Sequence, residues 1–441
     1  MLNNNLLGRF KYVFLVAVLS IFLSDCAFIR LEWEVAEIEK TYVLAGKIEN
    51  DLSHMRPVIV FLYSEKEDKK EIVEYTLPED TGHFSFLVAE GAYYLAAFED
   101  LDNDFTYDQE GLVGYFGAPD RIVVSSDRMA LSDSKRIKDL NILLTKTDAF
   151  LDGFPTAVDN EALIQKNFEK IGLITDLDDK IFAPQNGTIG YWKPLTFLRD
   201  FGHGVYFIEP YDKNKIPILF VHGANGTPIS WKEIAKQVDR HKYQPWFYYY
   251  PSGIQLELIA NGLNHIIKRL HDTYRFDTLY VTAHSMGGLV SRSFIMKNVY
   301  EDGEDYIKLF VSISTPWDGH RAAEKGVKDA PSAIPSWHDM VPGSEFIQSV
   351  YERKLPSQIK FHLFFSFRGD CKMLMRNNDG AVELTSELDY RAQKEAQRII
   401  GFDEDHVSIL SSQIVIDHYN QVLASFRLVR GMHISDFGIA R

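Results

Sequence analysis

The rhythm of apolar and polar positions changes along the chain, and each change marks a different kind of structure. From about Ile29 to Leu144 the apolar residues fall in short runs, Tyr42 to Ile48, Pro57 to Tyr63 and His83 to Val88, separated by polar clusters such as Glu79-Asp80-Thr81-Gly82. Short strand-like runs between turn residues, without a 3.6-residue period, predict a β-sandwich of about 115 residues. From about Gly204 onward apolar runs alternate with amphipathic ones. Strands are predicted at Val205 to Ile208, Ile216 to Val221, Pro245 to Tyr250, Thr278 to Thr282, Ile307 to Ile313 and Phe361 to Phe367. Helices are predicted at Ser230 to Arg240, Leu256 to Tyr274 and Gly287 to Asn298, the second with Ile259, Leu263, Ile266, Ile267 and Leu270 on one face. Strands alternating with helices imply a mostly parallel sheet covered on both faces, an α/β architecture. Between the two regions only one helical pattern stands out, around Glu161 to Ile171, with Leu163, Phe168 and Ile171 as its apolar side. The expected organisation is a sandwich over residues 27–145, a connector over 146–204 and an α/β domain over 205–430.

The first 25 residues follow a different logic. Arg9 and Lys11 precede an apolar run from Tyr12 to Leu23, too short to span a bilayer and ordered like the charged and apolar regions of a secretory signal. The following Leu23-Ser24-Asp25-Cys26 resembles the lipobox of bacterial lipoproteins, with Asp25 where that pattern has a small residue. The resemblance implies cleavage after residue 25, lipidation of Cys26 and a membrane anchor in a bacterial cell envelope. Cys371 is the other of the two cysteines, so core burial rather than a disulfide framework must stabilise an exported chain.

Composition narrows the function classes. Apolar residues at 46% and charged residues at 25% are ordinary for a globular protein. A formal net charge of −15, without a basic stripe, argues against nucleic acid as a partner.

The chemistry concentrates in Leu279-Tyr280-Val281-Thr282-Ala283-His284-Ser285-Met286-Gly287-Gly288, an apolar strand entering a helix through a small-x-Ser-x-Gly turn. A serine on so sharp a turn needs small residues two before and two after it, and Ala283 and Gly287 supply them. This turn resembles the nucleophile elbow of α/β hydrolases, which implies Ser285 as nucleophile. The alternative is that Ser285 only caps the helix. Upstream, Ile216 to Val221 runs into His222-Gly223-Ala224-Asn225-Gly226, similar to the turn that builds the family's oxyanion hole. That resemblance implies backbone N–H groups of Ala224 and Met286 as the oxyanion donors, with His222 packing inside the turn.

The family's order, serine then acid then histidine, directs attention downstream. Asn377-Asn378-Asp379-Gly380-Ala381-Val382 resembles its acid loop, and Gly401-Phe402-Asp403-Glu404-Asp405-His406 places a histidine before a terminal helix, where the family's base sits. Asp379 and His406 are the acid and base so implied; Asp318, Asp339 and Asp370 are rival acids, and His418 a rival base. Ser314-Thr315-Pro316-Trp317-Asp318-Gly319-His320 and the Met340-Val341-Pro342-Gly343-Ser344 stretch resemble the cap insertion of lipases and inositol-deacylase-like acyl hydrolases. Trp317, Trp337 and Phe346 either line an acyl pocket or pack the cap onto the sheet. The resemblance spans roughly residues 205–425 and implies a lipase- or esterase-like enzyme acting on an acyl ester or lipid. A thioesterase, amidase or acyltransferase would use the same triad, and a non-catalytic surface-binding protein is the rival from another class.

Gly91 to Asp100 resembles the last strands of small prealbumin-like or carboxypeptidase-regulatory-like sandwiches. Asp100, Asp102, Asp104 and Asp108 after it have the odd spacing of a Ca²⁺ loop, but Phe105 and Gly111 occupy the positions where an EF-hand has Gly and Glu. A solvated turn is the favoured reading, and no motif implies a cofactor. Oligomeric state is not readable from the sequence.

Overall fold

A computed structural model describes residues 30–38, 40–52, 57–66, 69–78, 82–101, 107, 110–116, 121–125, 136–146, 154–155, 169–369 and 377–430 of the chain. Cys26, Asp102, Asp104, Asp108, Asp370, Cys371 and residues 161–168 of the expected connector helix lie outside these. Two compact units emerge, Met1–Ile171 with Trp192–Gly204, and Gly172–Tyr191 with Val205–Arg441.

In the first unit, strands Tyr42–Lys47, Val58–Lys66, Lys69–Thr76, His83–Val88, Gly91–Glu99, Val113–Phe116, Ile122–Val124 and Arg136–Ile137 are β1 to β8. They form one sheet of order β4-β1-β8 and another of order β3-β2-β5-β6, with β7 also on β5. All pairs are antiparallel except β1 with β8. Strand β2 serves both apolar layers of the unit. Val58, Val60 and Leu62 face a core shared with Leu44, Phe86 and Leu95, whereas Ile59, Phe61 and Tyr63 join Tyr75, Tyr94 and Phe98 on the other side. Alternation by two thus feeds two apolar layers from one strand. Residues 30–38, expected within the sandwich region, form a helix instead. Its buried Glu34 accepts from Thr196 N at 2.9 Å, satisfying one of the free N–H groups at the start of the helix Pro194–Asp200.

In the eight-stranded sheet, Glu169–Ile174, His203–Phe207, Ile216–Val221, Tyr243–Tyr249, Leu279–His284, Ile307–Ile313, Lys360–Ser366 and Arg398–Phe402 are β9 to β16. Ile171, assigned from the sequence to a helix, therefore lies in a strand. The order is β9-β10-β12-β11-β13-β14-β15-β16. From β12 to β16 every pair is parallel. Chain order reverses around β11: its successor β12 lies on one side and β13 on the other. Such a switch opens a crevice beyond the carboxyl ends of the two strands it separates, here β11 and β13. The helix Leu256–Tyr274 buries Leu256, Ile259, Leu263, Ile266, Ile267 and Leu270, the spacing of one helical face. It ends at Arg275, whose φ of 51° is the left-handed cap conformation. The helix Met286–Tyr300 is buried on nearly every side through Ile295, so its sequence carries no clear polar face.

The connector region contains two helices that the pattern does not announce, Pro184–Trp192 and Pro194–Asp200. Among the described residues no helix is long and apolar enough to cross a membrane.

Candidate active site

Five parallel strands deliver their following residues to one edge of the sheet. Strand β13 ends at His284, and Ser285 follows with φ 54° and ψ −132°, a conformation that L residues avoid unless the surroundings enforce it. The enforcement is visible. Ser285 N donates to Ile313 O at 2.9 Å, and Gly288 N donates to Ser285 O at 2.9 Å. At Gly287 a Cβ would fall 2.4 Å from His222 O and 2.6 Å from Val221 O, so only glycine lets the helix leave so close to β11. The Ser285 side chain makes no capping bond to its helix. It is paired elsewhere.

His406 lies in the loop after β16, with Nε2 2.9 Å from Ser285 Oγ and Nδ1 2.5 Å from Asp379 Oδ2. A carboxylate only accepts, so Nδ1 carries the proton and Nε2 is left to accept from the serine hydroxyl. Asp379 is completely buried. Its Oδ1 accepts from Ala381 N at 2.9 Å and Val382 N at 2.7 Å, and its Oδ2 also accepts from Ser366 Oγ at 2.9 Å. Burial pushes this carboxyl up, but the His406 hydrogen bond and charge, with the two backbone donors, outweigh it and hold the group down at about 2. The His406 loop is braced by Asp405, whose carboxylate accepts from Val407 N at 3.0 Å and Ser408 N at 2.8 Å.

The turn after β11 faces the serine. A Cβ on Gly223 would lie 2.7 Å from Ser285 Cβ and 3.3 Å from Oγ, which brings the backbone leading into Ala224 against the serine. Met286 opens its helix, where N–H groups have no acceptor within the helix. His222 turns inward. Its Nδ1–H donates to Gly223 O at 2.8 Å and its ring stacks on Tyr250 at 4.1 Å, while burial pushes its pKa down to about 4.

The rival residues go elsewhere. Asp318 pairs with Arg391 at 2.8 Å and is half-exposed, Asp339 accepts from Leu256 N at 2.6 Å, and His418 bonds Ile414 O at 2.8 Å on the exposed side of the terminal helix. Trp317 packs edge-on to Phe361 at 5.6 Å, and Trp337 Nε1 donates to Tyr191 Oη at 2.5 Å. Both tryptophans thus fasten their segments. Asp100 is buried, and no group able to hold a metal ion occurs among the described residues.

Two neighbours of Ser285, His406 and Asp379 are not foreseen in the sequence. Glu387, completely buried, accepts from Ser366 N at 3.2 Å, so one serine touches both carboxyl groups. Burial, followed by the Asp379 charge, pushes Glu387 up to about 10, leaving Asp379 as the anion of the pair. The second is His284, whose Nε2 lies 2.8 Å from His406 O. A glutamate in a short helix and the variable position of a serine turn give no signal in the sequence.

Sheet order, crevice and elbow together define the fold of an α/β hydrolase. Residues 254–393 match the model of a family described as alpha/beta hydrolase of unknown function (DUF915). The matched span includes Ser285 and Asp379. No curated protein sequence matches the chain. Among solved structures, the mature lipase BlEst2 of Bacillus licheniformis is similar at 19% identity, over 49% of this chain and 94% of that one, with a TM-score of 0.40. The product of gene lin2722 of Listeria innocua is similar at 16% identity over 47% and 94%, with a TM-score of 0.36. Lipase B of Aspergillus fumigatus is similar at 13% identity over 50% and 55%, with a TM-score of 0.38.

Proposed function

We propose that this protein is a serine hydrolase that cleaves carboxylic esters, lipase- or esterase-like, through an acyl-enzyme on Ser285. The supporting observation is the continuous hydrogen-bonded chain from Ser285 Oγ through His406 to the buried Asp379 at the switch-point crevice. His406 takes the serine proton as Oγ attacks the acyl carbonyl, and Asp379 holds the imidazole tautomer and stabilises its cation. The N–H groups of Ala224 and Met286 receive the negative charge that develops on the carbonyl oxygen. Protonated His406 then gives its proton to the leaving alkoxide, and water, activated by the same histidine, releases the acid. The test is labelling by a fluorophosphonate together with hydrolysis of p-nitrophenyl esters of increasing chain length. Ser285→Ala should abolish labelling and lower kcat by about 10⁶-fold. Undiminished hydrolysis by the folded alanine variant would refute the reading.

We also propose export and anchoring through a lipidated Cys26, supported by Arg9, Lys11, the Tyr12 to Leu23 run and the lipobox-like tetrapeptide. The protein should then partition with membranes, and Cys26→Ser should release or misprocess it. Mass spectrometry of a mature N-terminus elsewhere, without acyl mass, would count against it.

A further inference from the structure

The backbone of His406 is held on both sides. Its N–H donates to Asp379 O at 2.8 Å, and its carbonyl lies 2.8 Å from His284 Nε2. A carbonyl oxygen only accepts, so His284 carries its proton on Nε2 and donates. The donor ring is itself well fixed. His284 closes β13 in register with Ile313 of β14, and its ring is packed edge-on to Trp231 at 6.4 Å and 4.8 Å from the His406 ring. Burial first, and then the neighbouring His406, push the His284 pKa down to about 3. The ring therefore stays neutral, and it does not oppose the positive charge that His406 acquires when it takes a proton.

We infer that His284 is a positioning residue: its Nε2–H, bonded to the His406 carbonyl, ties the strand that bears the nucleophile to the loop that bears the base. The inference rests on the serine-hydrolase reading and goes further by naming what sets the separation of Ser285 Oγ and His406 Nε2. Strand β13 is locked into the parallel sheet on both sides, whereas His406 lies in an irregular loop whose next residue, Val407, is 72% exposed. The other bonds of that loop, from His406 N to Asp379 O, from Arg368 N to Glu404 O and from Val407 N and Ser408 N to Asp405, do not reach β13 and leave the backbone's distance from that strand free to vary. A hydrogen bond from the strand end to the base's own carbonyl removes this freedom and transfers the rigidity of the sheet to the imidazole. The link is also short in sequence. His284 and Ser285 are consecutive, so nucleophile and clamp move together.

The test compares His284→Phe with His284→Gln in the full-length protein, since a glutamine amide can place N–H near the imidazole Nε2 position and a phenyl ring cannot. His284→Phe should lower kcat about 10- to 100-fold with KM little changed, as expected when reacting groups are displaced by a fraction of an ångström to 1 Å. His284→Gln should recover kcat to within about threefold of the unaltered protein, a loss below 1 kcal/mol. The low-field proton resonance of His406 Nδ1–H, read by ¹H NMR on ¹⁵N-histidine-labelled protein, should shift or broaden in His284→Phe and hold its place in His284→Gln. His284→Leu makes the same comparison with a smaller side chain if phenylalanine prevents folding. A folded Phe or Leu variant with undiminished kcat and an unmoved resonance overturns the inference, as does a folded Gln variant as impaired as the Phe one. Failure of the hydrolase reading shows differently: the unaltered protein would neither hydrolyse esters nor take the fluorophosphonate, while the resonance would still report whether His284 holds the loop.

Discussion

Strands β2 and β13 are alike along their apolar lengths and differ in the chain conformation at their carboxyl ends. Val58 to Tyr63 of β2 and all of β13 are buried on both faces, and neither shows the alternation of a half-exposed strand. Strand β2 then runs out to exposed Lys66 and pairs with the antiparallel β3. Strand β13 stops at a serine with positive φ, locked between β11 and β14. Burial thus identifies a core strand in either unit, but only the turn after the strand identifies chemistry. The polar groups obey the same division. At and just beyond the ends of β13 to β16, Ser285, Ser314, Ser366, Asp379, Glu387 and His406 form one hydrogen-bonded group, whereas Val58 to Tyr63 of β2 send apolar and aromatic side chains into two apolar layers.

The difference between the two strands should be largest at the acid. Asp379→Asn should preserve the fold yet lower kcat by about 10⁴-fold, because the imidazole loses its orienting anion, whereas Asp318→Asn should retain most of the rate. Steady-state kinetics on both folded variants decide between them, and the reverse ranking would make Asp318 the acid.

Packing alone is at stake in β2. Phe61→Ala removes a ring with no exposed surface that lies 5.2 Å from Phe98, and should cost about 3–5 kcal/mol of stability in denaturant titration. A loss under about 1 kcal/mol would mean that the second apolar layer of β2 is not a load shared by the folded unit.

A third effect, read as a change with pH, concerns a buried acid beside the end of β15. Glu387 has its folded pKa raised to about 10, so above its unfolded value of about 4.3 only the unfolded chain releases the proton, and stability contributed by the neutral acid falls as pH rises. Glu387→Gln carries no such proton. Its stability relative to the unaltered protein should therefore increase between pH 4.5 and pH 8, measured by urea unfolding at both values. A difference independent of pH would show that Glu387 is ionised in the folded protein.

The second unit was the more legible in sequence, for a physical reason. The helix Leu256–Tyr274 and the strand Ile307–Ile313 were readable to the residue, one from a sustained 3.6-residue period and the other from an apolar run that must be buried on both faces. The residues that meet at the sheet's edge, Ser285, Asp379 and His406, were reachable through motif order, because a serine turn, an aspartate loop and a histidine before the last helix each follow their own strand. Elsewhere the local signal failed. Pro184–Trp192 contains Gly187 and Gly190 and has no apolar face, so its helicity comes from its surroundings. Ile171 fits either period, and its place in β9 is decided by strand neighbours distant in sequence. Glu387 and His284 were invisible for another reason: what distinguishes them is a partner 21 and 122 residues away, respectively.

The two backbone bonds of His406 have a consequence for solvent exchange. Amide protons in irregular surface loops ordinarily exchange through small local openings, far faster than those of a central sheet. The His406 amide, closed onto the carbonyl of a buried aspartate at 2.8 Å, sits in such a loop but can exchange only when Asp379 and His406 part. Its deuterium uptake should therefore track the slow opening of the sheet's carboxyl edge and not the fast rocking of its neighbours, so that one protected amide in an exposed segment marks the fraction of molecules in which His406 and Asp379 are joined.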